Sequence, residues 1–296
     1  MTLHPSFSVP ANAPIGVFDS GVGGLSVLRH IRAQLPHEQL IYFADTGFAP
    51  YGDKPEHVIV ERSLVVAEFL LERGAKALVV ACNTATVAAI KALRARYPAL
   101  PIVGVEPGLK PAAAASRSGK IGVLATDSTL SGDKFLQLRA QISSASNAEF
   151  LLQACVGLVD LIELGQFDTP AVDAMLERYV APLIAQGADT LVLGCTHYPF
   201  VQAAIASTAA RHATQPITLI DTGDAVARQL TRLLDMAGLL RAAPDAQTAP
   251  VGTAMQASPA ADAALLLGYT TASATALSGA FAGLLDLAPP VEAVHI

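Results

Sequence analysis

The sequence predicts an α/β protein made of two similar lobes in tandem, each a mostly parallel sheet flanked by helices. Three observations predict it. Short apolar runs alternate with amphipathic stretches along most of the chain. One strand-to-cysteine unit occurs twice. The first strand also has a counterpart in the second half.

Taken in order, Ile15–Phe18, Leu40–Phe43, Ala77–Ala81, Ile102–Val105, Ile121–Leu124, Thr190–Gly194 and Thr218–Ile220 read as buried strands. Their runs are continuously apolar, as strands covered on both faces require. Leu25–Leu35, His57–Arg73 and Ala171–Ala185 are amphipathic and read as helices between them. Strands alternating with helices imply a parallel sheet. Near the end, Leu265–Thr270 reads as a closing strand, followed by a last helix through Leu285.

The repeat supports two lobes. Leu70-Leu71-Glu72-Arg73-Gly74-Ala75-Lys76-Ala77-Leu78-Val79-Val80-Ala81-Cys82 aligns without gaps to Leu183-Ile184-Ala185-Gln186-Gly187-Ala188-Asp189-Thr190-Leu191-Val192-Leu193-Gly194-Cys195. Each copy reads as a helix end, a glycine cap, a buried strand and a cysteine. Upstream, Ile15-Gly16-Val17-Phe18-Asp19-Ser20 matches Ile121-Gly122-Val123-Leu124-Ala125-Thr126. The expected division is a first lobe from residues 14–106 with 219–296, and a second from 107–218. The Ala/Pro/Thr-rich stretch 241–262 has little periodicity and reads as a surface loop or insertion.

Composition narrows the class. Hydrophobic residues make up 52% of the 296, enough for two cores. A net charge of -6 carries no basic footprint for nucleic acid or an acidic membrane surface. Met1–Ala13 has no basic start and no apolar core, and is not expected to be a signal peptide. The uncharged run Ala263–Leu285 carries Thr270, Thr271, Ser273, Thr275 and Ser278, and reads as strand plus helix, not a membrane span. A soluble, cytoplasmic protein is expected. Its three cysteines, Cys82, Cys155 and Cys195, form no disulfide framework.

Ligands of parallel sheets bind beyond the C-terminal ends of strands. Cys82 and Cys195 both fall there, followed by Asn83-Thr84 and Thr196-His197. A helix opening at these points would lower a thiol pKa and offer free N–H groups to a carboxylate. A single such cysteine is ordinarily a small buried hydrophobe. Two at matched positions point to chemistry. Cys155 lacks this setting and is assigned to packing. Asp19-Ser20-Gly21-Val22-Gly23-Gly24 permits a tight turn with exposed amides, yet lacks the glycine spacing of a dinucleotide site. Asp19 itself fits a helix cap equally well. Pro50-Tyr51-Gly52 is a turn presenting a tyrosine, or ordinary loop chemistry. His197 with Cys195 makes a poor zinc site, so no metal is expected.

Together Asp19–Leu25, Ala44-Asp45 with Pro50-Tyr51-Gly52, Ala81–Thr86 and Leu193–Pro199 closely resemble the glutamate racemases of the aspartate/glutamate racemase superfamily. The resemblance runs from about Ile15 to Leu285. It implies two α/β lobes facing across a cleft, with the active site between them and one catalytic cysteine from each, Cys82 and Cys195. It implies Asp19, Ser20, Pro50, Tyr51, Gly52, Asn83, Thr84, Thr196 and His197 as substrate contacts, with Asp19 assisting Cys82 and His197 assisting Cys195. Glu163 matches an acidic position near the second cysteine, and Thr126 a residue at the amino-acid end of the substrate. The implied reaction interconverts L- and D-glutamate without cofactor, supplying D-glutamate for peptidoglycan; the family often dimerises. Inversion by two opposed thiols suits the pair, since one removes the α-proton while the other returns one. No lysine sits in a pyridoxal-phosphate context; Lys54 reads as solvated.

Other readings stay open. A related superfamily member acting on aspartate, a hydantoin or maleate could use the same cysteines, although Asp19–Leu25 favours glutamate. A two-lobe amino-acid-binding protein would need no thiols. A thiol hydrolase would leave the second cysteine unexplained.

Overall fold

A computed structural model describes residues 10–242 and 265–296. Residues 243–262 of the expected loop lie outside the described residues. The described residues form ten strands: β1 (Ile15–Asp19), β2 (Leu40–Ala44), β3 (Ala77–Val80), β4 (Ile102–Gly104), β5 (Lys120–Ala125), β6 (Glu149–Ala154), β7 (Thr190–Leu193), β8 (Thr218–Ile220), β9 (Leu266–Thr270) and β10 (Val291–Ala293). They form two sheets, ordered β10-β9-β2-β1-β3-β4 and β6-β5-β7-β8. Every pairing is parallel.

The order β2-β1-β3-β4 in the first sheet is that of β6-β5-β7-β8 in the second, and the register repeats too. Ile15 pairs with Ala77 as Ile121 pairs with Thr190, the very residues that the sequence repeat aligns. The caps before β3 and β7 also agree. Gly74 and Gly187 take φ of +82° and +94°, the left-handed conformation that ends a helix and favours glycine. Ala75 N–H then donates to Leu70 O and Ala188 N–H to Leu183 O, both at 3.1 Å.

Each sheet is covered on both faces, which explains its unbroken apolar runs. On one side of the first sheet, Ile15, Val17 and Val79 pack with α1 (Leu25–Gln34), α10 (Gly223–Met236) and α11 (Ala274–Leu285). On the other, Phe18, Leu78 and Val80 meet α2 (Glu56–Glu72) and α3 (Asn83–Arg96). In the second sheet, Ile121 and Val123 face α4 (Leu109–Ala115) and α6 (Asp133–Ser146). Leu124 and Leu191 face α7 (Leu158–Glu163), α8 (Pro170–Ala185) and α9 (Gln202–His212). A short α5 (Asp127–Ser131) follows β5.

Three expectations change. Thr218–Ile220 hydrogen-bonds to β7, so residues 219–220 go with the second sheet and not with the first. Glu149–Ala154 forms an edge strand that its mixed exposure hid, so Cys155 also follows a strand end. Leu266–Thr270 does not close its sheet, because β10 adds outside it. The uncharged run contributes β9 and α11, and among the described residues no helix is long and apolar enough to cross a membrane.

A buried ion pair anchors the edge of the first sheet away from the cysteines. Lys76 Nζ donates to Glu38 Oε2 at 2.5 Å, to Leu239 O at 2.8 Å and to Ala11 O. Glu38 Oε1 accepts Arg241 N–H at 2.9 Å. Lys76 and Glu38 are 1% and 3% exposed, so each charge depends on the other for solvation.

Candidate active site

The two sheets meet at the C-terminal ends of β1, β3 and β7. Asp19 ends β1 with no solvent exposure. Its Oδ2 accepts the N–H groups of Gly21 (3.2 Å) and Gly24 (3.0 Å), while Oδ1 has no partner among the described residues. The carboxylate thus shapes the loop, as the helix-cap reading requires, and keeps one oxygen free. Burial raises its pKa above the usual carboxylate range, against the pull of the His197 charge and the two N–H groups.

Cys82 occupies the N-cap of α3. Its Sγ accepts Ala85 N–H at 3.5 Å and lies 3.5 Å from Ser20 Oγ. The sequence reading has the helix end lower this thiol's pKa. The structure reverses that: burial first, then the Asp19 charge, push the thiol up to about 12. Two weak donors to sulfur do not offset the loss of water. Beside it, Asn83 is 5% exposed, and among the described residues neither its Nδ2 nor its Oδ1 has a partner.

Cys195 follows β7 but does not open an α-helix. Tyr198–Val201 is a 3-10 turn containing Pro199, and α9 begins only at Gln202. The sulfur instead faces a side chain: Cys195 Sγ lies 3.6 Å from His197 Nδ1, and His197 Nε2 lies 2.6 Å from Glu163 Oε1. With acceptors on both ring nitrogens, the doubly protonated imidazole fits best. Burial alone would lower the His197 pKa, but bonds to Cys195 and Glu163 carry it well above the usual histidine value. Burial pulls Glu163 the other way, yet the His197 and Val22 N–H bonds hold its carboxyl low.

The glycine loop joins the halves. Val22 N–H donates to Glu163 Oε1 at 3.1 Å, and Ser26 Oγ donates to the Thr196 carbonyl at 2.7 Å. A Cβ on Gly21 would stand 2.3 Å from Glu163 Oε1, and one on Gly23 2.3 Å from His197 Nδ1. These glycines leave room for the second lobe's catalytic candidates, a demand that the sequence did not reveal.

A continuous set of contacts therefore brings together Cys82, Ser20, Asp19, Glu163, Thr196, His197 and Cys195. Thr84 and Thr126 lie on facing lobes; Thr126 caps α5 by accepting Thr129 N–H at 3.3 Å. Tyr51 is tied into a network of its own. Its hydroxyl donates to Asp45 Oδ2 at 2.7 Å, and its ring lies in the same buried cluster as Cys82. Asp45 also accepts Arg62 Nε and Nη2 (both 2.7 Å) and the Thr271 hydroxyl (2.8 Å), so this network fixes the turn. Pro50 is exposed, and its carbonyl accepts Lys54 Nζ at 3.0 Å. Asp45 sits in the quoted Ala44-Asp45 motif, but its partners Arg62 and Thr271 carry no local signal. Cys155 is buried at 3% exposure, with Sγ 3.6 Å from Gln153 O, and its thiol is pushed up to about 12 by burial.

The chain is similar to known proteins in sequence and in fold. A model of the family described as Asp/Glu/Hydantoin racemase matches residues 15–230. A glutamate racemase of Ectopseudomonas mendocina is 55% identical over 79% of this chain and 87% of its own length. The crystal structure of a glutamate racemase isoform from Bacillus anthracis superposes with a TM-score of 0.80, at 29% identity, covering 97% of this chain and 98% of that one. The Escherichia coli glutamate racemase, solved with L-glutamate and the activator UDP-MurNAc-ala, gives 0.75 at 30% identity, covering 96% and 99%. With its two-lobed fold, its paired cysteines and these likenesses, the chain belongs to the Asp/Glu/Hydantoin racemase family, among the glutamate racemases.

Proposed function

We propose that this protein interconverts L- and D-glutamate by proton transfer between Cys82 and Cys195, with no added cofactor. The observation that carries the reading is the equivalence of the two cysteines. Each follows the same strand of a duplicated sheet, and each has its own acid–base partner. In the L-to-D direction, Cys195 starts as a thiolate paired with the His197 imidazolium, takes the α-proton and becomes a thiol as the charge passes to the substrate carbanion. Cys82, a thiol at neutral pH, returns a proton to the opposite face. In the reverse direction, the free Oδ1 of Asp19 accepts the Cys82 proton, a role suited to its raised pKa. Carbanion charge spreading into the α-carboxylate is met by donors on Asn83, Thr84 and Thr196. Asp19, Ser20, Tyr51, Gly52, Thr126 and His197 complete the substrate contacts, Tyr51 through its ring and main chain. The bound L-glutamate of the Escherichia coli relative, and its UDP-MurNAc-ala activator, support glutamate as substrate and D-glutamate supply to peptidoglycan in the cytoplasm as the role.

The test is loss of optical activity from L-glutamate, followed by circular dichroism with purified protein and no cofactor added. Racemisation of glutamate, and none of aspartate at equal concentration, is expected. Inert protein, or a preference for aspartate, would overturn the assignment.

A further inference from the structure

Four hydroxyl groups run in line between the lobes at the rim of the site. Thr129 Oγ1 lies 2.9 Å from Thr126 Oγ1, which lies 3.2 Å from Ser128 Oγ, which lies 3.4 Å from Thr84 Oγ1. The first three sit on the turn and short helix after β5; Thr84 lies on α3, two residues past Cys82. A Cβ on Gly52 would stand 3.4 Å from Ser128 Oγ, so the Tyr51–Gly52 turn adjoins the same spot.

Counting protons fixes the direction of the chain. A hydroxyl oxygen donates once and accepts twice. Thr129 is 1% exposed, and among the described residues its hydroxyl bonds only to Thr126. Were Thr126 the donor, the Thr129 proton would be buried without an acceptor, which is the costly arrangement. Thr129 therefore donates to Thr126. Together with Thr129 N–H, that fills both acceptor positions of Thr126, which must then donate to Ser128. The link between Ser128 and Thr84 uses one more proton. One hydroxyl proton is left over, and it lies on Ser128 or Thr84, at the half-buried end where the lobes face each other.

A donor without an acceptor, at the end of a chain whose members polarise one another, is a place for an anionic oxygen. Asn83, next to Thr84 in sequence, also has unmet hydrogen-bonding capacity: both its side-chain polar atoms are buried and have no partner among the described residues. We propose that Ser128 is a substrate-positioning residue, which completes a hydroxyl chain across the cleft and presents its spare proton to a carboxylate of the bound amino acid. The inference rests on the glutamate racemase reading and adds a residue to it. Neither periodicity nor the motifs single out Ser128, because its partner Thr84 is brought close only by the packing of α5 against α3.

The experiment compares Ser128→Ala and Ser128→Thr with the parent, measuring kcat and KM separately for L- and D-glutamate. Loss of one hydrogen bond to a charged group predicts that Ser128→Ala lowers kcat/KM about tenfold, chiefly through a higher KM. Ser128→Thr keeps the hydroxyl and should recover to within about threefold of the parent. Since enantiomers have equal free energies, kcat/KM must fall alike in both directions, which gives an internal check. An active parent whose Ser128→Ala variant keeps both KM values within about twofold overturns the proposal, and so does Ser128→Thr failing as badly as Ser128→Ala. A parent inert toward both enantiomers overturns the racemase reading instead, and with it the carboxylate named here.

Discussion

Replacing Glu163 by glutamine keeps the size of the side chain and an oxygen for His197, but removes the charge. Glu163 Oε1 is 2.6 Å from His197 Nε2, and the histidine is almost fully buried. A hydrogen bond between charged groups contributes about 1.5–3 kcal/mol, against about 1 kcal/mol for a neutral one. The imidazolium should thus lose about 1–2 kcal/mol of support, or roughly five- to thirtyfold in kcat/KM. The sign for pH follows from the raised His197 pKa. Its partners favour the protonated ring, which is fully present at low pH and lost as pH rises through the folded value. Weakening Glu163 lets the proton leave earlier, so the basic limb of the rate profile should move to lower pH. The assay is circular dichroism of L- and D-glutamate across pH, with both directions falling together. An unshifted basic limb, with kcat/KM within about twofold of the parent, would refute the His197–Glu163 coupling.

Two more predictions come from packing. Gly23→Ala places a Cβ 2.3 Å from His197 Nδ1, so the ring must leave Cys195; turnover should fall about a hundredfold while the far-ultraviolet spectrum stays native, and normal turnover would show that the loop is free to move. Glu38→Gln strands the buried Lys76 charge and should lower unfolding free energy by about 3–5 kcal/mol in a denaturant titration, with Glu38→Met/Lys76→Met recovering most of it. A single variant as stable as the parent would contradict that pair's role.

The duplicated architecture was legible because its signals are local. The aligned Gly74 and Gly187 caps and the runs Ala77–Val80 and Thr190–Leu193 specify their own conformation, and the register followed. The edge strand Glu149–Ala154 was not legible, since only Phe150 in it is buried and its pattern is mixed. The cysteines stood out through their matched positions. Their protonation did not, because the high pKa of Cys82 comes from burial and from Asp19, which is remote in sequence. Gly21 and Gly23 read as an anion loop. Their need for glycine appears only once Glu163 and His197 arrive from the other lobe. Tyr51 was legible as a turn residue, whereas the direction of its hydroxyl depends on Asp45 and Arg62.

The central claim is that Cys82 and Cys195 act on opposite faces of Cα. The most direct test uses Cys82→Ser and Cys195→Ser with each enantiomer of a glutamate analogue carrying a β-leaving group. Elimination needs a base on one face only, whereas racemisation needs both thiols, and a serine hydroxyl is too weak an acid and base to replace either. Both variants should lose racemisation. Cys82→Ser should still eliminate from the L-analogue through Cys195, and Cys195→Ser from the D-analogue through Cys82. Elimination from the same enantiomer in both variants, or full racemisation by either, would contradict the two-cysteine account.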